Sequence, residues 1–232
     1  MMIKSPEDGV DVEQAAMAVF DAVSNGGIAI VYLDVAYSIL ARTEEAVKKI
    51  YAAKGRSFSK PTGIVGCQAI HHALHVLDDF RFSVVESITV KHNLPLAVIA
   101  PYQKQHPFLK QMDPFVLSNA VKDDTLNLLL NAGRVRNRIG ELCWHHQMPF
   151  VGSSANKSLT GSKYNIIDIE QELLDISDMV LDYGQSIYHN VQGQSSTMID
   201  FRDFSVVRKG VCFGEIENVL RDEFSIVLKV KS

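Results

Sequence analysis

The stretch TEEAVKKIYAAKGRSFSKPTGIVGC, residues 43–67, contains the clearest change of secondary structure in this chain. Thr43 is a suitable helix N-cap, and Gly55 is a suitable helix stop. Between them, apolar side chains recur at helical spacing at Val47, Ile50 and Tyr51. The segment TGIVGC, residues 62–67, then predicts a short strand. The stretch therefore predicts a helix that leads, through a short cationic segment, into a strand.

The cationic segment places Lys54, Arg56 and Lys60 within seven residues of one another. One interpretation is a solvated helix end, because Lys and Arg complement the negative pole of the helix dipole. The other is an oxyanion site, in which a planar guanidinium and two ammonium groups converge on phosphates. This stretch alone does not distinguish the two.

Composition describes an ordinary globular protein, with 232 residues, 47% hydrophobic content and a net charge of −4. That length fits one large domain, or one domain with a small appendage. The negative charge argues against general nucleic-acid binding and leaves room for a local basic cleft. Cys67, Cys143 and Cys212 lie far apart, and their odd number suits a reducing compartment. Without an apolar signal segment or membrane span, a cytoplasmic protein is expected.

The rest of the chain intersperses helical and strand-like patterns without strict alternation. Helical patterns occupy residues 11–24, 68–80, 136–147, 167–176 and 214–224. Strand-like patterns occupy residues 27–33, 93–102, 148–151 and 178–184, and a late hairpin is expected over 195–201 and 204–210. Residues 114–133 are ambiguous. The expected fold class is α/β or α+β with a mixed sheet.

Two polar segments are further candidates for a binding site. GSSANKSLTGS, residues 152–162, follows an apolar strand, where hydroxyls, an amide and backbone N–H groups often converge on a ligand. SSTMID, residues 195–200, places Ser and Thr hydroxyls before an apolar pair and an acid, and Arg208 follows another strand. An ordinary polar loop, a strand that opens with Ser and Thr, and a surface arginine at a turn are the alternative interpretations.

Several familiar site patterns are absent or weak. His71 and His75 share a helical face, but no HExxH pattern accompanies them, so polar positions on a helix are the favoured interpretation and no metal site is expected. The patterns GxGxxG, GxxxxGK[ST] and GxSxG do not occur. Any phosphate must therefore be bound by side-chain cations and hydroxyl-rich loops.

The order of these segments resembles the YrdC/Sua5 family over residues 11–212. An N-terminal tail of residues 1–10 and a C-terminal helix and strand extension of residues 213–232 flank the resemblance. The resemblance implies a twisted mixed sheet around a large, positively lined cavity. It also implies synthesis of threonylcarbamoyl-adenylate from L-threonine, bicarbonate and ATP, with pyrophosphate release, for N6-threonylcarbamoyl modification of tRNA adenosine. Mg²⁺ is expected with the ATP. Some family members are described as binding double-stranded RNA.

The resemblance assigns residues to the nucleotide side of that cavity. The KxR motif and the following cation are matched by Lys54, Arg56 and Lys60, the first two as catalytic residues and the third as a nucleotide-binding residue. The SAN motif and its preceding hydroxyl residue are matched by Ser153, Ser154, Ala155 and Asn156. The STxxD element is matched by Ser196, Thr197 and Asp200, and the late arginine before glycine by Arg208. The implied ligand of the cationic segment is ATP triphosphate or the adenylate product.

The amino-acid pocket departs from the family pattern PTDTxYGL. Asp34, implied to orient the amine or a cation, and Tyr37 are kept, while Leu33 and Val35 replace the two threonines. Arg134 is assigned to this pocket as the arginine upstream of the SAN motif, with Arg136 as an alternative. A pocket without hydroxyls favours an acceptor more apolar than threonine. Alternatively, Leu33 and Val35 are ordinary core residues in a decayed motif.

Three functions remain open at this stage. The first is a threonylcarbamoyl-adenylate synthase that tolerates the altered motif, and the second is a carbamoyl-adenylating enzyme with another amine acceptor. The third is a non-catalytic protein that binds nucleotide or double-stranded RNA through a local basic patch. The patch residues are Lys48, Lys49, Lys54, Arg56 and Lys60, with Arg134, Arg136 and Arg138 as a second group.

Overall fold

The computed structural model describes residues 9–58 and 60–230, in which helices flank one mixed sheet. The strands, numbered β1–β11 in chain order, are Ala29–Val31, Ser38–Ala41, Gly63–Val65, Leu96–Pro101, Val121–Lys122, Thr125–Leu130, Val151–Ser154, Met179–Leu181, Met198–Asp200, Ser205–Arg208 and Lys229–Val230. The α-helices, numbered α1–α8, are Val12–Ser24, Glu44–Lys54, Gln68–Leu74, Asp79–Glu86, Pro114–Ser118, Arg134–His145, Gln171–Asp175 and Phe213–Phe224. A π-helical turn, Ser87–Lys91, extends α4, and short 3₁₀ helices occupy Leu109–Gln111 and Ile166–Asp168.

The sheet mixes parallel and antiparallel pairs, as the sequence predicts. Its strand order is β11-β10-β9-β4-β6-β3-β7-β2-β1-β8, with β5 paired to β6. The pairs β3–β6, β4–β9, β1–β8 and β10–β11 are parallel. The predicted late hairpin is formed by β9 and β10, which are antiparallel. Most of the expected N-terminal tail, residues 1–8, and residues 231–232 of the C-terminal extension lie outside the described residues.

Local signals set the ends of the first two helices. Asp11 caps α1 by accepting a hydrogen bond from the Gln14 backbone N–H at 2.9 Å. Thr43 caps α2 in the same way, with the Ala46 N–H as donor. Gly55 ends α2 in the left-handed conformation, with φ of 57°, which costs glycine little because it has no Cβ. Both predicted helices are confirmed.

Two segments differ from the predicted pattern. The expected helix over residues 68–80 is divided, because His75 is extended and forms a β-bridge with Tyr102. The ambiguous residues 114–133 form the short helix α5 and then the β5–β6 hairpin. Asp123 and Asp124 make that tight turn with φ values of 49° and 58°, a conformation that Asp tolerates well.

The two faces of the sheet have different roles. On one face, the ring of Phe20 in α1 stacks on Phe150, with centroids 5.3 Å apart, and α2 packs on β2 and β7. On the other face, alternate strand residues such as Leu40, Val65 and Leu129 line a cavity. Because side chains alternate along a strand, the same strands supply both the core and the cavity floor. No helix among the described residues is long and apolar enough to cross a membrane.

Candidate functional site

The cavity on the open face has a volume of about 150 Å³ and is lined by seven strands and their flanking loops. Strand register places Val65, Leu129, Ala97 and Met198 side by side across its floor. Gly63 and Gly152 face each other between β3 and β7, where the missing side chains leave the floor open. The fold therefore brings together residues from the whole length of the chain.

Three guanidinium groups line this cavity, and no Asp or Glu is among its described lining residues. Arg56 donates to the Pro61 carbonyl oxygen at 2.7 Å, just before β3. Arg136 donates to the Gly66 carbonyl oxygen at 3.1 Å, just after β3. Five residues of extended chain span about 16 Å, so these two anchor points lie at opposite ends of the cavity. Such a distribution of positive charge suits a ligand that carries more than one anionic group.

Arg208 forms the third cationic group, on the β9–β10 side. Its guanidinium donates to the Ser196 carbonyl oxygen at 2.8 Å and to the Ser196 hydroxyl at 3.1 Å. Thr197 stabilises the same corner, because its hydroxyl donates to the Val211 carbonyl oxygen at 2.9 Å. The predicted pair of Ser196 and Arg208 is thus in direct contact at the cavity wall.

Lys54 lies immediately behind the cavity wall rather than in the lining. Its side chain is only 2% exposed, and its ammonium donates to the Ser154 carbonyl oxygen. Burial, with a contribution from the charge of Arg56, lowers the pKa of Lys54 to about 7. Lys54 can therefore gain or lose a proton near neutral pH, which is a common property of functional lysines.

The SAN segment supplies the Ser154 hydroxyl and backbone groups at the Arg56 end, since strand alternation directs the Ser153 side chain towards α2. Ser153 and Ser154 both line the cavity, and Ser38 donates to the Ser153 carbonyl oxygen at 2.9 Å. Asn156 is buried next to them, but it does not line the cavity. Its Nδ2 donates to the Lys157 carbonyl oxygen at 2.6 Å, and its buried Oδ1 has no partner in the part of the chain that the structure describes. Its predicted contact with nucleotide would require the loop to move.

Residues 32–37 form a loop that covers part of the cavity, and main-chain hydrogen bonds hold it. Asp34 donates through its N–H to the Ala132 carbonyl oxygen at 2.9 Å. At the C-terminal end of the loop, the Tyr37 carbonyl oxygen accepts a hydrogen bond from the Ala155 N–H at 2.9 Å. Leu33 and Val35 line the cavity on either side of the Asp34 anchor and are also part of the hydrophobic core. Leu33 and Val35 are thus cavity-lining residues and core residues at once. Their position is compatible with an apolar acceptor pocket and with a decayed motif in the core.

The polar side chains of this loop point to partners in the protein. The Tyr37 hydroxyl contacts the Asp182 carboxylate and lies 2.8 Å from the Gly184 carbonyl oxygen. Burial and the Asp182 carboxylate raise the pKa of Tyr37 above its usual value. The Asp34 carboxylate lies 3.4 Å from the Tyr32 hydroxyl and is not part of the cavity lining. Tyr37 thus lines the predicted pocket, and Asp34 stands behind it.

Two predicted site residues lie away from the cavity. Arg134 is exposed on the first turn of α6, whereas Arg136 is buried in the cavity lining. Two residues along a helix turn the side chain by about 200°, so only one of the pair can face the cavity. Lys60 is also exposed, and its carbonyl oxygen, rather than its ammonium, takes part in the local structure by accepting from Tyr51 at 2.8 Å.

Sequence reasoning missed Asn127 as a cavity residue. It lies in the floor, and its buried Oδ1 has no hydrogen-bond partner among the described residues. The available signal was a single amide within the apolar strand TLNLLL. A polar residue at the inward position of a buried strand indicates a ligand or a close polar neighbour.

The histidine interpretation requires a correction, because His71 and His75 are buried rather than at polar surface positions. Their Nδ1 atoms are 2.8 Å apart, so one ring donates to the other. Burial lowers the pKa of His71 to about 2 and that of His75 to about 3. Across the described ranges, no three His, Cys, Asp or Glu side chains form a group that could hold a metal ion.

Comparison with known proteins agrees with this architecture. The Sua5/YciO/YrdC family model, described as "Telomere recombination", matches residues 21–210. Since that match covers well over half of the chain, the protein belongs to the Sua5/YciO/YrdC family. A search of curated protein sequences found no match.

Solved structures share the fold at low sequence identity. The hypothetical protein smu.1377c from Streptococcus mutans UA159 is 18% identical, with a TM-score of 0.77 and coverage of 91% of this chain and 92% of that one. P. abyssi Sua5, in complex with L-threonine, is 20% identical, with a TM-score of 0.72 and coverage of 95% and 60%. The chain thus spans about three fifths of the length of that Sua5. HypF in a phosphate- and nucleotide-bound form is 15% identical, with a TM-score of 0.59 and coverage of 80% and 27%.

Proposed function

We propose that this protein is an ATP-dependent carbamoyl-adenylate synthase, of the threonylcarbamoyl-adenylate synthase type. The observation that carries the proposal is the cavity lined by Arg56, Arg136 and Arg208 without an acidic residue among its described lining. Burying charged groups without compensation is costly, so such a cavity is built for an anion. Family membership narrows the class of anion, because relatives are described with L-threonine and with nucleotide and phosphate.

The proposed reaction has two steps. The amine of an amino acid first adds to CO2, supplied by bicarbonate, and loses a proton to give a carbamate. A carbamate oxygen then attacks the α-phosphorus of ATP and forms the new P–O bond as the bond to pyrophosphate breaks. The products are a carbamoyl-adenylate and pyrophosphate, and Mg²⁺ would enter with the ATP phosphates. Positioning and charge neutralisation would supply most of the catalysis.

The cavity residues have distinct proposed roles in this reaction. Arg56 and the protonated Lys54 would neutralise the charge on the phosphates at one end. The Ser154 hydroxyl and the main chain of Ser153 would orient the nucleotide beside them. Ser196, held by Arg208, would contact the nucleotide from the β9–β10 side.

Pyrophosphate release from ATP, with Mg²⁺ and bicarbonate, tests this proposal across a panel of amino acids. Release that requires both bicarbonate and an amino acid is expected. Arg56→Ala should abolish the release, while Lys104→Ala, which removes an exposed lysine paired with Asp124, should not change it. ATP binding without release for any amino acid would contradict the enzymatic function.

The acceptor determines the place of this reaction in metabolism. Release that depends on L-threonine would support a role in N6-threonylcarbamoyl modification of tRNA adenosine. Release with another amino acid would support an enzyme that has changed its acceptor. Leu33 and Val35, which present methyl groups to the cavity, favour the second outcome.

The alternative of double-stranded RNA binding has less support from the surface. Lys48 and Lys49 pair with Glu44 and Glu45 on the same helix, and Lys54 is buried. The second basic group is also neutralised in part, because Arg138 pairs with Glu13 and Glu141. A binding constant that falls steeply with salt would nevertheless restore this alternative.

A further inference from the structure

Asn127 is a polar residue of the cavity floor whose side-chain amide is not satisfied within the described part of the chain. It lies in β6, and its side chain belongs to the cavity lining. Its Oδ1 is buried and has no hydrogen-bond partner among the described residues. Burying an amide acceptor without a partner destabilises the folded state, and the other cavity-facing residue of β6, Leu129, is apolar. An amide at this position is the kind of group that a bound ligand would satisfy.

The floor next to Asn127 is open on one side, because the neighbouring positions across the sheet are glycines. Gly63 in β3 and Gly152 in β7 face each other. Nδ2 of Asn127 lies 3.3 Å from the place that a Cβ at Gly63 would take. Neither glycine fills the space beside the amide, so rotation about the side-chain torsions can turn both Nδ2 and Oδ1 towards a ligand. The amide then offers a hydrogen-bond donor and an acceptor side by side.

Asn127 lies between the anchor points of Arg56 and Arg136. Its neighbour in β3 is Gly63. Arg56 donates to the carbonyl oxygen two residues before Gly63, and Arg136 to the one three residues after it. At about 3.3 Å per residue, these two carbonyl groups lie about 7 Å and about 10 Å from Gly63 along the strand. A neutral amide therefore occupies the middle of a cavity with a guanidinium towards each end.

We propose that Asn127 is a catalytic residue of the proposed reaction, and that its amide holds the carbamate in place for attack on ATP. The proposal rests on the proposed function for the identity of the reaction. A carbamate presents an oxygen and an N–H on one edge, which match the Nδ2 donor and the Oδ1 acceptor of a carboxamide. One carbamate oxygen accepts from Nδ2. The other forms the new P–O bond as the bond to pyrophosphate breaks.

A neutral amide suits this position better than a further cation would. Hydrogen bonds from charged donors are about twice as strong as those from neutral donors. A guanidinium here would therefore hold negative charge on the carbamate oxygens and weaken their attack on phosphorus. The Asn127 amide orients the nucleophile without that loss, and correct orientation of two reactants is a large part of catalysis.

Pyrophosphate release from ATP tests this role in Asn127→Leu, with bicarbonate varied and with the amino acid that gives most release in the wild type. Leucine has a similar size and removes both hydrogen-bonding groups. We expect kcat/KM for bicarbonate to fall about tenfold, because a hydrogen bond to a charged group is lost, while the Kd of ATP is unchanged. The midpoint of thermal unfolding should rise by about 2 °C, because an unpaired buried amide is removed. A structural role for Asn127 would instead lower this midpoint.

The pH profile of Asn127→Asp is a second readout. A carboxylate at this position repels the carbamate, whereas a protonated carboxyl donates an O–H to it. The ratio of release by the variant to release by the wild type should therefore rise as the pH falls from 8 to 6. The ratio cancels the pH dependence of the substrates. Asn218→Asp is the matched control, because Asn218 is exposed on α8, and its ratio should not change with pH.

Binding of stable carbamate analogues separates this inference from the proposed reaction. N-carbamoyl derivatives of the amino-acid panel keep the N–H and the carbonyl oxygen that pair with Asn127. Calorimetry with the full chain should show binding that Asn127→Leu weakens about fivefold, the effect of losing neutral hydrogen bonds. If the analogues bind in this way and no pyrophosphate is released with any amino acid, the Asn127 site stands and the reaction does not.

Two results would overturn the role of Asn127. One is equal kcat/KM for bicarbonate in the wild type and in Asn127→Leu, which would leave the proposed reaction intact. The other is analogue binding that is equal in the two proteins or absent from both. A ratio for Asn127→Asp that does not change with pH would also count against a hydrogen bond from this position to the carbamate.

Discussion

Lys54 donates a hydrogen bond from its ammonium to the carbonyl oxygen of Ser154, which joins the last residue of α2 to the last residue of β7. The bond couples the cationic segment after α2 to the SAN segment, two motifs separated by 100 residues. Because burial lowers the pKa of Lys54 to about 7, its charge depends on whether an anion is bound nearby.

Anion affinity should fall as the pH rises above neutrality. An anion favours the protonated form of Lys54, so binding takes up a proton above the lowered pKa and weakens by up to tenfold per pH unit. Sulfate is a suitable probe because its charge is constant from pH 6 to 9. Its affinity, measured by thermal shift, should fall over this range for the wild type. Lys54→Met should bind more weakly and show no such slope, and an equal slope in both proteins would exclude Lys54 as its source.

Acid should destabilise the protein through His71 and His75. Their folded-state pKa values, about 2 and about 3, lie below the ordinary value of 6.5, so the unfolded state binds more protons between those limits. Stability is therefore present above pH 6.5 and is lost as the pH falls, by up to about 1.4 kcal/mol per pH unit for each histidine. Urea unfolding at pH 7 and pH 5 measures this. His71→Phe should reduce the slope, and an unchanged slope would assign it to other groups.

Gly210→Ala should disrupt the wall formed by residues 195 and 196. A Cβ at Gly210 would lie 2.1 Å from the Ser195 carbonyl oxygen and 2.5 Å from that of Ser196, so the backbone must move. We expect a loss of about 3 kcal/mol in the free energy of unfolding, together with weaker ATP binding. Gly214→Ala is the control, because a Cβ there meets nothing within 4 Å. Equal unfolding free energies for the two variants would contradict this account of the wall.

Gly152→Ala should reduce ligand affinity with a small effect on stability. The new Cβ would lie 2.7 Å from Cδ2 of Leu40, the flexible end of a side chain that can move. The methyl group would occupy the cavity floor, so ATP affinity should fall about tenfold, while the unfolding free energy falls by about 1 kcal/mol. Adding Leu40→Val should recover stability and leave affinity low. Recovery of affinity in the double variant would show that Leu40, rather than the floor itself, controls binding.

Local signals in the sequence were sufficient for much of the fold. Thr43 and Gly55 fixed the ends of α2, and alternation of apolar residues located most strands. The order of strands across the sheet could not be read in this way, because pairing joins segments as distant as β4 and β9. The break of the predicted helix at His75 also depends on a distant partner, Tyr102.

The candidate site was predictable in its motifs and less so in its geometry. Arg56, Ser154 and Arg208 line the cavity as motif order suggested. Which of Arg134 and Arg136 faces the cavity depends on the rotation of α6 about its axis relative to the sheet. The sequence alone does not determine that rotation. Helical periodicity places Lys54 on the same face as Val47, Ile50 and Tyr51, but its charge favoured a solvated helix end, and its burial depends on contact with β7.

The loop of residues 32–37 is fastened through its main chain, with bonds from Asp34 to Ala132 and from Ala155 to Tyr37. Every residue type except proline has a backbone N–H. Substituting the side chain of Leu33 or Val35 therefore leaves these main-chain hydrogen bonds intact. Residues 33 and 35 can therefore vary, and with them the shape and polarity of the cavity, while the loop keeps its position. Under the proposed function, single mutations at Leu33 or Val35 would change the preferred substrate without disturbing the main-chain support of the loop.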